Sequence, residues 1–257
     1  MIPEERRNRI LTELSGRDIY PIDGLVKSLG VSRITVQRDI SLLHQRGLVH
    51  KVHGGVKLNR ENPKGIETLF TKRLQQNYER KLEIANKSIQ FVKDHTTVFI
   101  DSSTTCYIFA QALLKKHYLD LSIITNSPAI QQEALGHPNR RVISTGGELR
   151  QNFNMLAGRW VCDFIENINI DAAFISAAGV SSEWNITTSN AELLEILKTV
   201  LARCGEINLL ADSSKFFKAA MLNIGHISQC TRVISDSEIN KELLQEIRQL
   251  SNVMVVH

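Results

Sequence analysis

The sequence predicts two domains of different class. A small winged helix-turn-helix covers residues 1–58, a mainly parallel α/β domain covers 68–257, and a linker at 59–67 joins them. Three observations predict this. The tight turn Leu29-Gly30-Val31-Ser32 joins two amphipathic helical stretches, with Gly where the turn needs it. A Gly-Gly turn between two short alternating runs follows and reads as a β-hairpin. Beyond residue 96, short apolar runs alternate with helical stretches, the pattern of a parallel sheet covered on both faces.

In the first domain, Ile10, Leu11 and Leu14 make an amphipathic helix that breaks at Ser15-Gly16. Ile22 to Leu29 is a second helix, with Leu25, Val26 and Leu29 inward and Gly30 as its C-terminal stop. Ser32 is a natural N-cap for a third helix, because its hydroxyl accepts from an orphan N–H of the first turn. Val36, Ile40 and Leu43 form that helix's apolar stripe, and Gly47 is its expected stop. Its other face carries Arg33, Thr35, Gln37, Arg38 and Ser41, the hydrogen-bond donors and positive charge that reading a DNA groove requires. A solvated surface helix would present a similar face. Leu48–Val52 and Val56–Leu58 flank the turn His53-Gly54-Gly55, a wing with Lys51 and His53 at its edge and tip.

Charge favours the nucleic-acid reading. Residues 1–60 hold eleven Lys and Arg against six Asp and Glu, whereas the whole chain is only +4. The basic excess therefore lies in the segment that would neutralise phosphates. Arg6, Arg7 and Arg9 would add backbone contacts or form a solvated helix face.

In the second domain, a charged helical stretch runs from Thr68 to Lys93. The strand runs are Thr97–Ile100, Leu121–Ile124, Arg141–Ser144, Asp171–Ala178, Ile207–Ala211, Arg232–Ile234 and Val253–Val256. Helices are expected at Tyr107–Lys116, Ala191–Arg203 and Asn240–Leu250. Ligands of open α/β sheets bind beyond the carboxyl ends of the strands. Here four such ends are rich in small polar residues: Asp101-Ser102-Ser103-Thr104-Thr105, Thr125-Asn126-Ser127, Gly146-Gly147, and Asp212 to Lys215. Hydroxyls and free N–H groups at a helix start suit a phosphate, although ordinary caps and turns use the same residues. Lys215 is the candidate positive partner of such an anion.

The pattern Arg6-x-x-x-Ile10-Leu11, then Val31-Ser32-x-x-Thr35-Val36-x-Arg38-Asp39-Ile40, then Leu43-x-x-x-Gly47-Leu48-Val49-x-x-x-His53-Gly54-Gly55 resembles the DeoR family of bacterial repressors of sugar metabolism. The resemblance continues through nearly the whole chain. It implies a sugar-phosphate sensor domain with the fold of ribose-5-phosphate isomerase, an operator as DNA partner, and a homodimer or homotetramer. Asp101, Thr104 and Thr105 match its Asp-x-Gly-Thr-Thr signature, with Ser103 where Gly is usual. Thr125-Asn126-Ser127, Gly146-Gly147 with Arg150, and Asp212-Ser213-Ser214-Lys215-Phe216 match as well. Gln37 stands where the family usually has arginine, which implies a changed base preference or one fewer phosphate contact. Asn185 stands where a Gly is common.

Composition sets the outer limits. No apolar stretch approaches ~20 residues, so no membrane span is expected. The N-terminus lacks a secretory apolar region. Cys106, Cys162, Cys204 and Cys230 are scattered without metal spacing, as in a reduced cytoplasmic protein with no metal or cofactor. An isomerase needs a positioned carboxylate base, and Asp101, Glu192 and Asp212 are candidates. The fused reading head argues instead for a ligand-responsive regulator without catalysis. A nucleic-acid-binding protein without ligand control is the third reading, and the polar strand ends argue against it.

Overall fold

A computed structural model describes residues 3–15, 19–45, 48–58, 69–250 and 254–256. The chain divides into two compact units, Met1–Lys72 and Arg73–His257. The linker read at 59–67 and the stop at Gly47 lie outside the described residues.

The first unit holds α1 (Pro3–Ser15), β1 (Tyr20–Pro21), α2 (Ile22–Leu29), α3 (Arg33–Gln45), β2 (Val49–Val52) and β3 (Gly55–Leu58). Gly30 ends α2 in the left-handed region at φ 64°, where its N–H closes on the Val26 carbonyl. Ser32 Oγ accepts the Thr35 N–H at 3.3 Å and so caps α3. The stripe Val36, Ile40 and Leu43 is buried against Ile10, Leu14, Leu25 and Leu29. The wing is a hairpin with a two-residue loop, His53-Gly54, because Gly55 already pairs with Val52. The sequence reading missed β1, which pairs Tyr20 with Val56 and Pro21 with Gly55 to give a three-stranded sheet. That pairing explains the second glycine, since a Cβ on Gly55 would lie 2.9 Å from the Tyr20 carbonyl oxygen.

The helical run expected from 68 to 93, which begins in the first unit and continues in the second, is interrupted. The chain gives α4 (Leu69–Gln75), α5 (Tyr78–Ser88) and a 3-10 turn at Ile89–Phe91, with Asn77 breaking the run at φ 52°. There follow β4 (Thr97–Ile100), α6 (Thr104–Leu114), β5 (Ser122–Thr125), α7 (Pro128–Ala134), β6 (Arg141–Ser144), β7 (Glu148–Arg150), β8 (Met155–Ala157), α8 (Arg159–Glu166) and β9 (Ile170–Ile175). The unit continues through β10 (Gly179–Val180), β11 (Asn185–Thr188), α9 (Ala191–Arg203), β12 (Cys204–Leu210), β13 (Leu222–His226), β14 (Arg232–Ile234), α10 (Lys241–Gln249) and β15 (Met254–Val256).

Seven strands form one parallel sheet in the order β15-β14-β12-β9-β4-β5-β6. Alternate residues along each strand serve opposite faces. Val98, Ile100, Ala172, Phe174 and Leu210 pack with α5 and α6, while Phe99, Ala173, Ile175, Leu209 and Ala211 pack with α8, α9 and α10. Burial on both faces is why these strands read as unbroken apolar runs. Two smaller sheets, β7-β8 and β10-β11-β13, complete the unit. From β4 the chain steps to β5 and β6 on one side and returns to β9, β12, β14 and β15 on the other. The topological switch point therefore lies between β4 and β9, where a crevice for ligand is expected at the carboxyl ends.

Candidate functional site

On α3, the core takes Val36, Asp39, Ile40 and Leu43. The positions pointing directly away from that stripe are Ile34, Arg38 and Ser41, by the 3.6-residue period. The side chains of Gln37 and Arg38 are exposed and make no hydrogen bond or ion pair among the described residues, while the Gln37 carbonyl accepts from Ser41 Oγ at 2.8 Å. Ile34 is 78% exposed, unusual for an isoleucine in a folded unit. The sequence reading passed over Ile34 because it is apolar, yet its i, i+4 spacing to Arg38 marks it as part of the outward face.

The other predicted contacts are engaged within the unit. Arg33 pairs with Asp23 of α2. Ser32 Oγ and Thr35 Oγ1 lie 2.8 Å apart in the cap. Lys51 Nζ donates to Ser41 Oγ at 2.8 Å, so the wing is tied to α3. His53 is exposed at the wing tip. Arg6 and Arg7 are side chains of the interior rather than a free basic edge. Arg6 Nε donates to Asp39 Oδ2 at 2.5 Å, and Arg7 lies 3.7 Å from Asp39 Oδ1.

At the carboxyl edge of the large sheet, Asp101 sits on the switch point. Its Oδ1 accepts the Ser103 N–H at 2.8 Å and its Oδ2 accepts the Ser176 N–H at 2.9 Å, joining the ends of β4 and β9. Burial pushes the Asp101 carboxyl up, against the pull of those donors. Ser103 caps α6, its Oγ accepting the Cys106 N–H at 3.2 Å. Its φ of −69° is an ordinary one, so a serine fits where the resembled family prefers glycine. Ser102, Thr104 and Thr105 are buried beside it. The N–H groups of Thr104 and Thr105 have no acceptor among the described residues, as expected for the open first turn of a helix.

The neighbouring loop after β5 is built the same way. Thr125 Oγ1 donates to the Ile100 carbonyl at 2.7 Å, and Ser127 caps α7. Asn126 donates to the Leu156 carbonyl, while its Oδ1 is buried without a partner among the described residues. Gly147 answers to packing: at φ 108°, a Cβ there would meet Val161 at 2.6 Å and the Ala157 carbonyl oxygen at 2.7 Å. Gly146 lies against Trp160 in the same junction. These two glycines thus seat the β7-β8 hairpin and α8.

Across the switch point, the loop after β12 meets the first turn of α5. Asn77 Nδ2 donates to Asp212 Oδ1 at 3.2 Å and to Ser214 Oγ at 3.0 Å, and Arg80 donates to Ser213 Oγ at 3.2 Å. Asp212 is fully buried, and its Oδ2 has no partner among the described residues. Lys215 is half-buried, and burial pulls its ammonium pKa down while Asp212 pushes it up. Lys81 is only 4% exposed and donates to the Arg73 carbonyl. Burial lowers its pKa to about 8, Asp212 counteracts this, and Lys215 and Arg73 add to it. Asn77, Arg80 and Lys81 were not legible as site residues, because only the tertiary fold brings α5 to a loop far along the chain.

Of the carboxylates considered for catalysis, Asp101 is saturated by backbone donors. Glu192 is held by Arg150, whose Nε lies 2.9 and 2.8 Å from its two oxygens, and this pair lowers the Glu192 pKa. A carboxylate so engaged is a weak base. A separate cavity of about 370 Å³ between α8 and α9 is lined by Asp163, Glu166, Glu192 and Glu195, a poor setting for an anion. None of the four cysteines is in a disulfide, and burial raises the Cys204 and Cys230 thiols to about 12. No described helix is long and apolar enough to cross a membrane.

Comparison with known proteins matches each part of the chain to a family model. Residues 6–62 match the DeoR-like helix-turn-helix domain, and residues 76–237 match the DeoR C terminal sensor domain. The HTH-type transcriptional regulator GolR of Listeria innocua is 31% identical over 96% of this chain and 96% of its own. The glycerol-3-phosphate regulon repressor of Escherichia coli is 28% identical over 91% of this chain and 90% of its own. Among solved structures, ribose 5-phosphate isomerase A of Methanocaldococcus jannaschii is similar over 55% of each chain, at 18% identity and a TM-score of 0.41.

Proposed function

The chain belongs to the DeoR family of DNA-binding transcriptional regulators, and from that premise we propose that it represses a carbohydrate-utilisation operon under the control of a phosphorylated sugar or related metabolite. Its matched domains are a DNA-binding head and a sensor, not a catalytic domain. The effector site is the carboxyl edge of the large sheet. The observation that carries this is the gathering of unsatisfied buried polar atoms there. Of the six buried side-chain polar atoms without a partner among the described residues, three stand at strand carboxyl ends: Asn126 Oδ1 after β5, Asp212 Oδ2 after β12 and Ser235 Oγ after β14. Such groups are rare in folded proteins and call for a specific reason. Hydroxyls of a sugar supply donors to these three oxygens, and the open N–H groups of α6 suit its phosphate. The relative from Escherichia coli named for a glycerol-3-phosphate regulon supports an effector of this class.

In the head, Arg38 and Gln37 present donors to base edges in the major groove, and Ile34 offers an apolar surface to a thymine methyl group. Ser32, Arg33, Thr35, Lys51 and His53 border that face; Arg33 must leave Asp23 before it reaches DNA. The protein acts as a homodimer or homotetramer, since paired half-sites need two-fold symmetry. An operator selected from random duplexes allows the test. Arg38→Ala should weaken its binding by roughly 1–3 kcal/mol. Deoxyuridine in place of the contacted thymine should weaken wild-type binding a few-fold and leave Ile34→Ala unaffected. Equal losses in both proteins would remove Ile34 from the interface. The effector reading is tested by adding sugar phosphates to that complex, and a panel without effect on operator affinity would contradict it.

A further inference from the structure

The polar residues of α3 that lie off its core stripe are Arg33, Thr35, Gln37, Arg38 and Ser41. Bonds within the unit occupy three of these five side chains. Arg33 pairs with Asp23, and Thr35 Oγ1 lies 2.8 Å from Ser32 Oγ in the cap. Ser41 Oγ donates to the Gln37 carbonyl and accepts from Lys51 Nζ, both at 2.8 Å, so its proton is spent inside the unit. The side chains of Gln37 and Arg38 remain, exposed and without hydrogen bond or ion pair among the described residues. Asp39, the one acidic residue of this helix, is buried against α1, so the outward face carries no carboxylate.

The two remaining side chains differ in what they can match. A glutamine amide offers donors on one atom and an acceptor on the other, whereas a guanidinium offers donors alone. In the major groove an adenine edge presents a donor beside an acceptor, a guanine edge presents two acceptors, and cytosine presents a donor that suits a carboxylate. Consecutive Cα atoms are about 3.8 Å apart, close to the rise of about 3.4 Å between successive bases of one strand. We infer that Gln37 reads an adenine through its N6 and N7, within two base pairs of a guanine read by Arg38. This rests on the DNA-reading face proposed above and adds to it the identity of two bases in each half-site.

The full chain, Gln37→Arg and Gln37→Ala are each used to select duplexes from a library randomised over its central base pairs. Gln37 is exposed, so neither substitution disturbs the core. The wild-type consensus should hold an adenine within two base pairs of a guanine. Gln37→Arg should select guanine in place of that adenine and keep the other positions, and Gln37→Ala should lose the preference at that position alone. In the duplex selected by the wild type, 7-deazaadenine at the same position removes the N7 acceptor. It should weaken wild-type binding by about threefold or more and leave Gln37→Ala unaffected. An unchanged consensus in Gln37→Arg, or equal losses on 7-deazaadenine in wild type and Gln37→Ala, would overturn the inference. Failure of the DNA-reading face has a different signature: Arg38→Ala then binds the selected duplex as tightly as the wild type, and the guanine contact falls with it.

Discussion

Asp39→Ala should cost the protein its operator binding and lower the melting temperature of the N-terminal unit by about 10 °C or more. The reason is positional. Asp39 lies on the inward side of α3 with only 5% of its side chain exposed, and both Arg6 and Arg7 of α1 converge on it, themselves 13% and 15% exposed. Removing the carboxylate takes the acceptor from the Arg6 guanidinium and the nearby countercharge from Arg7. Breaking such a cluster from one side is far worse than never having it. Asp39→Asn should fall between, because the amide still accepts from Arg6 while the charge is gone. Both Trp residues, Trp160 and Trp184, belong to the second unit, so tryptophan fluorescence follows that unit alone. The melt seen by fluorescence should be unchanged in Asp39→Ala, while hydrogen exchange in α1 and α3 accelerates. Undiminished operator binding by this variant would show that the cluster is dispensable.

Asp101→Ala should destabilise the second unit by about 2–5 kcal/mol, read as an earlier urea midpoint in tryptophan fluorescence. The substitution leaves the N–H groups of Ser103 and Ser176 buried without acceptors, and each carries a desolvation penalty. It also unpins β4 from β9 at the switch point, so effector binding should fail along with stability. Asp101→Asn is no rescue, because its NH₂ group would face one of the two N–H donors. A midpoint unchanged in Asp101→Ala would contradict the assignment of Asp101 as the tie between these strands.

Much of this architecture was legible in the sequence because the physics is local. The seven expected strand runs correspond to the seven strands of the large sheet; the inner strands are apolar stretches covered on both faces, whereas the edge strand β6 is only partly covered. Gly30 and Ser32 marked a helix end and a helix start with side-chain chemistry that acts within a few residues. The run Asp171–Ala178 was read too long: the strand stops at Ile175, where the Ser176 N–H turns to Asp101. The sheet β10-β11-β13 was missed because β10 has two residues and β11 is Asn-Ile-Thr-Thr, whose polar groups look like a loop. In β11, Thr187 Oγ1 donates to the Gly179 carbonyl and accepts the Ala220 N–H.

The site residues divide along the same line. Asp101, Thr125, Asn126, Ser127 and Asp212 were legible, as polar residues directly after apolar runs. Their individual roles were not, since Asp101, Thr125 and Ser127 turn out to be bonded to the backbone that shapes the edge. Asp39 stood in the sequence only as part of the family pattern, and the approach of α1 makes it interior. Lys81 lay within a charged helical stretch, and only the fold buries it and turns it to the Arg73 carbonyl.

The central claim is a coupling between two sites, and its direct measurement is reciprocity. Operator affinity of the full chain is measured with and without saturating sugar phosphate, and sugar-phosphate affinity with and without saturating operator. A regulator of the kind proposed must show the same factor in both directions, because the coupling free energy is one quantity. The account predicts equal factors, with operator binding weakened by the effector. A sugar phosphate that binds the protein with the same affinity whether or not operator is present would contradict it.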